Sequence, residues 1–304
     1  MTGGGERCQA SPLRSWDRSG RPLPLISAHR AGLTDDTSRR HPWAALRAIV
    51  NSGCDLVELD VRLSRDGVAV VEHEADVVVG GRSVPIGRLT VAELAQTSRG
   101  CLPLDDALRI LAGRAAAHLD VKEVETTDDL LTLIDAAATR LGAANVVVTG
   151  LTDEDIATVR AWSRRSYPEL LVGLAVGRDL RGLPPQRLLR TALEELAPGG
   201  RLRRSDANLV VSHKDWARVW IRRWARRRGL PLLVWTVNKP SEMRRWLTDP
   251  YLWALTTDQP LRALTLRPDS AQKRGRWRRC PRGRLRRRRR PTRGALVEIL
   301  DPEH

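Results

Sequence analysis

The sequence predicts an α/β fold, a (β/α)8 or TIM barrel with a β-hairpin excursion after the second strand. Three observations predict it. Short, almost wholly apolar runs alternate with segments that open on acidic helix-start signals. The runs are rich in Leu and Val without polar alternation, which suits parallel strands buried on both faces. Eight such runs remain once one hairpin return run is set aside, and 304 residues hold a barrel of about 250 plus short tails.

Residues 1–22 hold Gly, Ser and Arg without an apolar run, and are expected to form a disordered lead-in. Residues 23–268 are expected to form the barrel. Its first strand is Leu25–Ala28 and its second Leu56–Val61. Val68–Glu72 follows after Ser64-Arg65-Asp66-Gly67, too short for a parallel crossover, so the pair is an antiparallel hairpin with an Asp-Gly turn signal. A turn centred between Arg65 and Asp66 sets Glu58 opposite His73. Further strands are expected at Ala117–Val121, Asn145–Thr149, Leu170–Ala175, Ala207–Val211, Leu232–Thr236 and Ala254–Thr257. Helices open at Leu104-Asp105-Asp106, Thr127-Asp128-Asp129, Thr152-Asp153-Glu154-Asp155 and Pro240-Ser241-Glu242, where acids or an N-terminal proline suit the first turn.

The pattern stops past Leu266. Residues 269–304 are expected to be a basic, disordered tail. Its segment Lys273–Arg293 holds 13 Lys or Arg and no acid, against a net charge of +16 for the chain, so the body is only mildly basic. Met1–Arg21 lacks the apolar core of a signal peptide, and no stretch reaches the ~18 apolar residues of a membrane span. Cys8, Cys54, Cys101 and Cys280 are scattered, outside any metal-ligand spacing. A cytoplasmic location without a transmembrane segment is expected. The ten Trp and absent Phe are a compositional bias without chemical meaning.

Glu58 and Asp60 lie two apart on a strand, so both carboxylates share a face among Leu56, Val57, Leu59 and Val61. Burying two carboxylates together calls for a compensating cation, and hard oxygen ligands suit Ca2+ or Mg2+. The plain alternative is a solvated or salt-bridged pair. His29-Arg30 ends the first strand on the rim where barrel active sites lie. There His29 suits acid–base work and Arg30 suits a phosphate; taken alone, such a dipeptide is more often structural or incidental. Asp120 ends another strand as a candidate third metal ligand. Lys122, on the same face, would neutralise phosphate charge, or the two form an ordinary surface pair. Trp235 at a late strand end would wall an alcohol pocket, or simply pack. His41, His118, His213 and His304 show no partner spacing and read as structural or surface residues.

These residues coincide with a family pattern. Ile26-Ser27-Ala28-His29-Arg30, then Val57 through Gly67 with Glu58-Leu59-Asp60, then Val70-Val71-Glu72-His73 resemble the glycerophosphodiester phosphodiesterase family. Val234-Trp235-Thr236-Val237-Asn238 and Thr257-Asp258-Gln259-Pro260 resemble its last two strand ends, so the likeness spans Leu25 to Pro260. The resemblance implies a (β/α)8 barrel, a divalent cation, and cleavage of glycerophosphodiesters to glycerol 3-phosphate and an alcohol. It implies Glu58 and Asp60 as metal ligands, His29 and His73 as the acid–base pair, and Arg30 as phosphate ligand. Asp120 stands where the family usually has Glu, two residues before a lysine that Lys122 matches. The sequence departs from the pattern at Ala31, where the family has Gly, and at Glu74, where it has Asp. The family's Pro-Glu-Asn-Thr motif is missing, with Thr34-Asp35-Asp36-Thr37 as a partial substitute.

Two rival readings accompany this one. A related phosphodiesterase would act on lysophospholipids, in the manner of a phospholipase D or C. A catalytically degenerate barrel would bind a polyanion or anionic lipid through residues 273–293.

Overall fold

The computed structural model describes residues 24–33, 35–97, 100–122, 124–177, 195 and 198–268. The lead-in 1–22, the tail 269–304 with its arginine run 273–293, Thr34, Glu123, Cys8, Cys280 and His304 lie outside the described residues.

Eight parallel strands close on themselves. In chain order they are β1 (Leu25–Ala28), β2 (Leu56–Leu63), β6 (Ala116–Val121), β7 (Val146–Thr149), β8 (Leu171–Val176), β9 (Leu209–His213), β10 (Leu232–Trp235) and β11 (Ala254–Thr257). Each pairs with the next, and β1 pairs with both β2 and β11, so this part of the sheet is a cylinder. The helices expected from the sequence form at Leu104–Leu111, Thr127–Leu141, Asp153–Ser166 and Pro240–Leu247. The hydroxyls of Thr126 and Thr152 cap two of them by accepting from the amides of Asp129 and Asp155.

The barrel interior follows from period-two alternation along each strand. At the strand starts it is apolar: Leu25, Leu56, Ala116, Val147, Leu171, Leu209, Leu233 and Ala254 pack together, with Trp253 beneath them. Two residues on, the same face of β1, β2, β6 and β7 turns polar and remains buried, with Ser27, Glu58, His118 and Thr149. Asp60 and Asp120 come two residues further. The lower half of the cylinder is thus a dry plug, and the upper half a polar well opening at the C-terminal rim.

The expected hairpin is present, with a corrected register. β3 (Ala69–Val71) runs antiparallel to β2 and pairs Val61 with Val71 and Leu63 with Ala69. Continued downward, this register sets Asp60 across from Glu72, whose amide donates to the Asp60 carbonyl at 2.9 Å. Glu58 is therefore not opposite His73. The reason lies in the turn: Ser64 N–H donates to Val68 O at 3.0 Å, so the loop holds three residues, Arg65, Asp66 and Gly67. Gly67 takes φ +74°, the left-handed conformation that ends a three-residue hairpin loop. The extra residue shifts the pairing by one position.

A second hairpin, β4 (Asp76–Val79) and β5 (Arg82–Pro85), is absent from the sequence expectation. It turns on Gly80-Gly81, both with positive φ, the pattern of a two-residue hairpin turn. That dipeptide was the available signal. The flanking runs hide it, because Val78 and Val79 are exposed and only Val77 is buried, so no apolar alternation marks a strand.

Candidate active site

Strand register brings the carboxylates together. Asp60 on β2 is level with Asp120 on β6, and Glu58 lies one interior step below Asp60. Glu58, Asp60 and Asp120 each offer an oxygen within 4.8 Å of the others. Glu58 and Asp60 are buried, at 3% and 2% exposure. Lys122 sits among them, forming a hydrogen-bonded ion pair with Asp120 and placing Nζ 2.7 Å from Asp60 Oδ1.

The electrostatics express this crowding. Burial, followed by the charges of Asp60 and Asp120, pushes the Glu58 carboxyl well above the usual range, against the pull of the Arg30 amide and Lys122. Burial also raises the Asp120 carboxyl, but Lys122 outweighs it and leaves the group below its ordinary value. For Lys122, desolvation is outweighed by Asp120 and Asp60, which hold the ammonium above its ordinary value. Three carboxylates against one ammonium suit a divalent cation with hard oxygen ligands. The residues present therefore fit such a group.

Arg30 joins this cluster to a histidine. After β1 the chain turns sharply through His29–Gly32, with Arg30 at φ 53°, Ala31 at φ 52° and Gly32 at φ +77°. Three consecutive left-handed residues aim the Arg30 amide at Glu58, to which it donates. Gly32 has a second reason to lack a side chain, since a Cβ there would lie 2.5 Å from Ile49 Cγ1. The Arg30 side chain reaches the other way, with Nη2 2.8 Å from His73 Nε2. A guanidinium only donates, so Nε2 accepts and Nδ1 carries the proton, which it offers to Glu74 at 3.1 Å. The His73 hydrogen bond holds the Glu74 carboxyl below its usual range. His73 owes its position to a bend after β3, fixed by Arg62, whose guanidinium donates to the His73 carbonyl at 3.0 Å. Arg30, Asp60 and His73 line one cavity with Arg39, Pro42 and Leu102.

His29 is held from the opposite side. Pairing of Ala28 with Thr257 sets the next residues, His29 and Asp258, side by side at the rim. His29 Nδ1 donates to Asp258 Oδ1 at 2.6 Å, leaving Nε2 with its lone pair. Asp258 N–H in turn donates to Asn238 Oδ1 at 3.0 Å. The His29 hydrogen bond is the leading cause that keeps the Asp258 carboxyl below its ordinary value, and the Asn238 amide assists.

Trp235 stands at the rim, 41% exposed, edge-on to His213 with ring centroids 5.5 Å apart. It does not line the cavity that Arg30 and His73 share. His118, expected to be structural or on the surface, is buried in the well, and its imidazole is pulled down to about 4 chiefly by burial.

Sequence reasoning gave no role to Asp258, Asn238, Arg62, Thr149 or Ser27. The first was within reach. In a closed barrel the last strand returns beside the first, so an acid just past β11 belongs next to a histidine just past β1.

The fold is a (β/α)8 barrel whose C-terminal rim carries these carboxylates and histidines. Residues 29–143 match the family model described as the Glycerophosphoryl diester phosphodiesterase family. No curated protein matches the sequence. Among solved structures, glycerophosphodiester phosphodiesterase from Agrobacterium tumefaciens is similar at TM-score 0.60 and 19% identity, covering 80% of this chain and 100% of its own. The enzyme from Thermotoga maritima is similar at TM-score 0.59 and 19% identity, covering 82% and 100%. An Oleispira antarctica phosphodiesterase, solved in complex with the product sn-glycerol-3-phosphate, is similar at TM-score 0.60 and 20% identity, covering 80% and 96%. At these identities the structures establish the fold.

Proposed function

We propose that the chain hydrolyses glycerophosphodiesters to glycerol 3-phosphate and an alcohol, using a divalent cation and two histidines. One observation carries the reading. Arg30 binds a buried carboxylate through its amide while its guanidinium meets His73, so phosphate-binding charge, metal ligand and acid–base group converge on one residue.

Glu58, Asp60 and Asp120 would hold Ca2+ or Mg2+, which when bound supplies positive charge to a non-bridging phosphate oxygen. The guanidinium of Arg30 and the ammonium of Lys122 stabilise the charge that grows on the phosphoryl oxygens. His29 is the base. Asp258 accepts the hydrogen bond from Nδ1–H and fixes the ring, so Nε2 removes a proton from the nucleophile, either water or the substrate's own glycerol hydroxyl. His73 is the acid: its Nε2, which accepts from Arg30 in the free site, takes up a proton from water once the phosphate has drawn Arg30 away and delivers that proton to the leaving alcohol.

The same reading places the barrel in residues 23–268 and keeps residues 273–293 outside the chemistry, as a segment whose charge favours polyanions or anionic lipid. The free thiols Cys54 and Cys101 suit a reducing, cytoplasmic setting. Among the described residues no helix is long and apolar enough to cross a membrane.

The test is a pair of variants assayed on glycerophosphocholine. His29→Ala and His73→Ala should each lower turnover by about two to four orders of magnitude while the protein stays folded. Full cation-dependent turnover in either variant would overturn its assignment.

A further inference from the structure

Beneath the carboxylates lies a chain of side chains that the proposed reaction does not use. Ser27 Oγ is 3.2 Å from His118 Nδ1, and His118 Nε2 is 2.9 Å from Thr149 Oγ1. Thr149 Oγ1 is 2.8 Å from Asp120 Oδ1 and, more remotely, 3.5 Å from the Leu119 carbonyl. Ser27, His118 and Thr149 are all buried, at 0%, 4% and 4% exposure. Register assembles them across neighbouring strands, since β6 pairs Asp120 with Thr149. Gly150 completes the arrangement, because a Cβ there would lie 2.8 Å from Asp120 Oδ1 and 2.2 Å from the Val121 carbonyl.

The chemistry of the end group fixes the direction of every bond. An ionised carboxylate only accepts, and a threonine hydroxyl has one proton to give. Thr149 gives it to Asp120, the nearer and charged acceptor. Its oxygen must then accept from His118, so Nε2 carries the ring proton. Nδ1 is left bare and accepts from Ser27. The relay runs one way, Ser27 to His118 to Thr149 to Asp120.

We infer that Ser27, His118 and Thr149 are positioning residues that orient Asp120, occupying its Oδ1 so that Oδ2 is the oxygen turned to Lys122 and the cation. This deepens the proposed function and rests on it for the cation alone; the direction of the relay does not depend on it. Outer groups of this kind, which hold a ligand's orientation, are worth about 10–100-fold in metal affinity.

Two measurements test the inference on the full chain. The first is the 15N shift pattern of His118 in the unmodified protein, recorded without metal. The relay requires a neutral ring with the proton on Nε2. A proton on Nδ1, or on both nitrogens, would overturn the inference whatever the protein's activity. The second is calorimetric titration with Mg2+ and with Ca2+, without substrate. Thr149→Val should weaken binding by about tenfold or more, and Thr149→Ser should restore most of it by returning the hydroxyl. Affinity unchanged in Thr149→Val while the unmodified protein binds the cation would also overturn it. If the unmodified protein binds neither cation, the metal reading fails, and the 15N pattern alone decides whether the relay exists.

Discussion

Replacing Gly150 with alanine tests how tightly the metal-side wall of the well is built. Gly150 has φ +84°, and a Cβ would lie 2.2 Å from the Val121 carbonyl, 3.0 Å from the Val121 amide nitrogen and 2.8 Å from Asp120 Oδ1. Two of those atoms are backbone within β6 and cannot swing aside. The left-handed conformation alone costs an alanine about 1–2 kcal/mol, and overpacking a fixed wall adds about 1–3 kcal/mol. Gly150→Ala should therefore lose about 2–5 kcal/mol. Gly229 supplies the control, with φ +68° and nothing within 4 Å of its would-be Cβ, so Gly229→Ala should pay only the conformational part. The assay is urea unfolding of both variants and the parent, comparing midpoints at unchanged slope. If Gly150→Ala proves no less stable than Gly229→Ala, the close packing of Gly150 against β6 is wrong, and the fixed placement of Asp120 with it.

Other predictions address separate parts of the account. Asp258→Asn should lower kcat at least tenfold with little change in KM, because the His29 ring loses the acceptor that sets its tautomer; steady-state kinetics on glycerophosphocholine would show it. The Asp258 carboxyl is held below its ordinary value, so its contribution to stability is complete above that value and lost as pH falls through the depressed one. Asp258→Asn should accordingly flatten part of the acid limb of stability against pH, and an unchanged limb would contradict the pairing. Cys54 and Cys101 are each pushed up to about 11, chiefly by burial, so at pH 8 their thiolate populations fall roughly a hundredfold and iodoacetamide should label the native protein far more slowly than the unfolded chain. Removing the residues after Asp269 should leave hydrolysis intact and sharply weaken salt-dependent binding to heparin or DNA.

Much of the architecture was legible because buried parallel strands announce themselves as apolar runs with nothing polar to confuse the period. Leu25–Ala28 and Ala254–Thr257 appear where the sequence places them. Glu58 and Asp60 were legible as a site for the same reason: carboxylates inside a run of Leu and Val have no cheap explanation. The hairpin register was not legible, because Asp66-Gly67 fits both a two- and a three-residue loop, and one residue decides which face each side chain takes. The partners of the site residues were hidden for a different reason. Asp258 meets His29 across 229 positions, and Thr149 meets Asp120 across 29, through barrel closure and strand stagger that local patterns do not encode. A lone histidine in an apolar strand carries no spacing signal, so the sequence marks His118 only as structural or surface, although the well makes it the centre of a hydrogen-bonded chain.

The proposed reaction joins three carboxylates, two cationic side chains and two histidines at one barrel rim with a bound metal to cleave a phosphodiester. Its most direct test is the release of glycerol 3-phosphate from glycerophosphodiesters by the purified chain, before and after EDTA and after readdition of Mg2+ or Ca2+. The account predicts release that EDTA abolishes and a divalent cation restores. Release that persists undiminished in EDTA, or none under any cation, would contradict it.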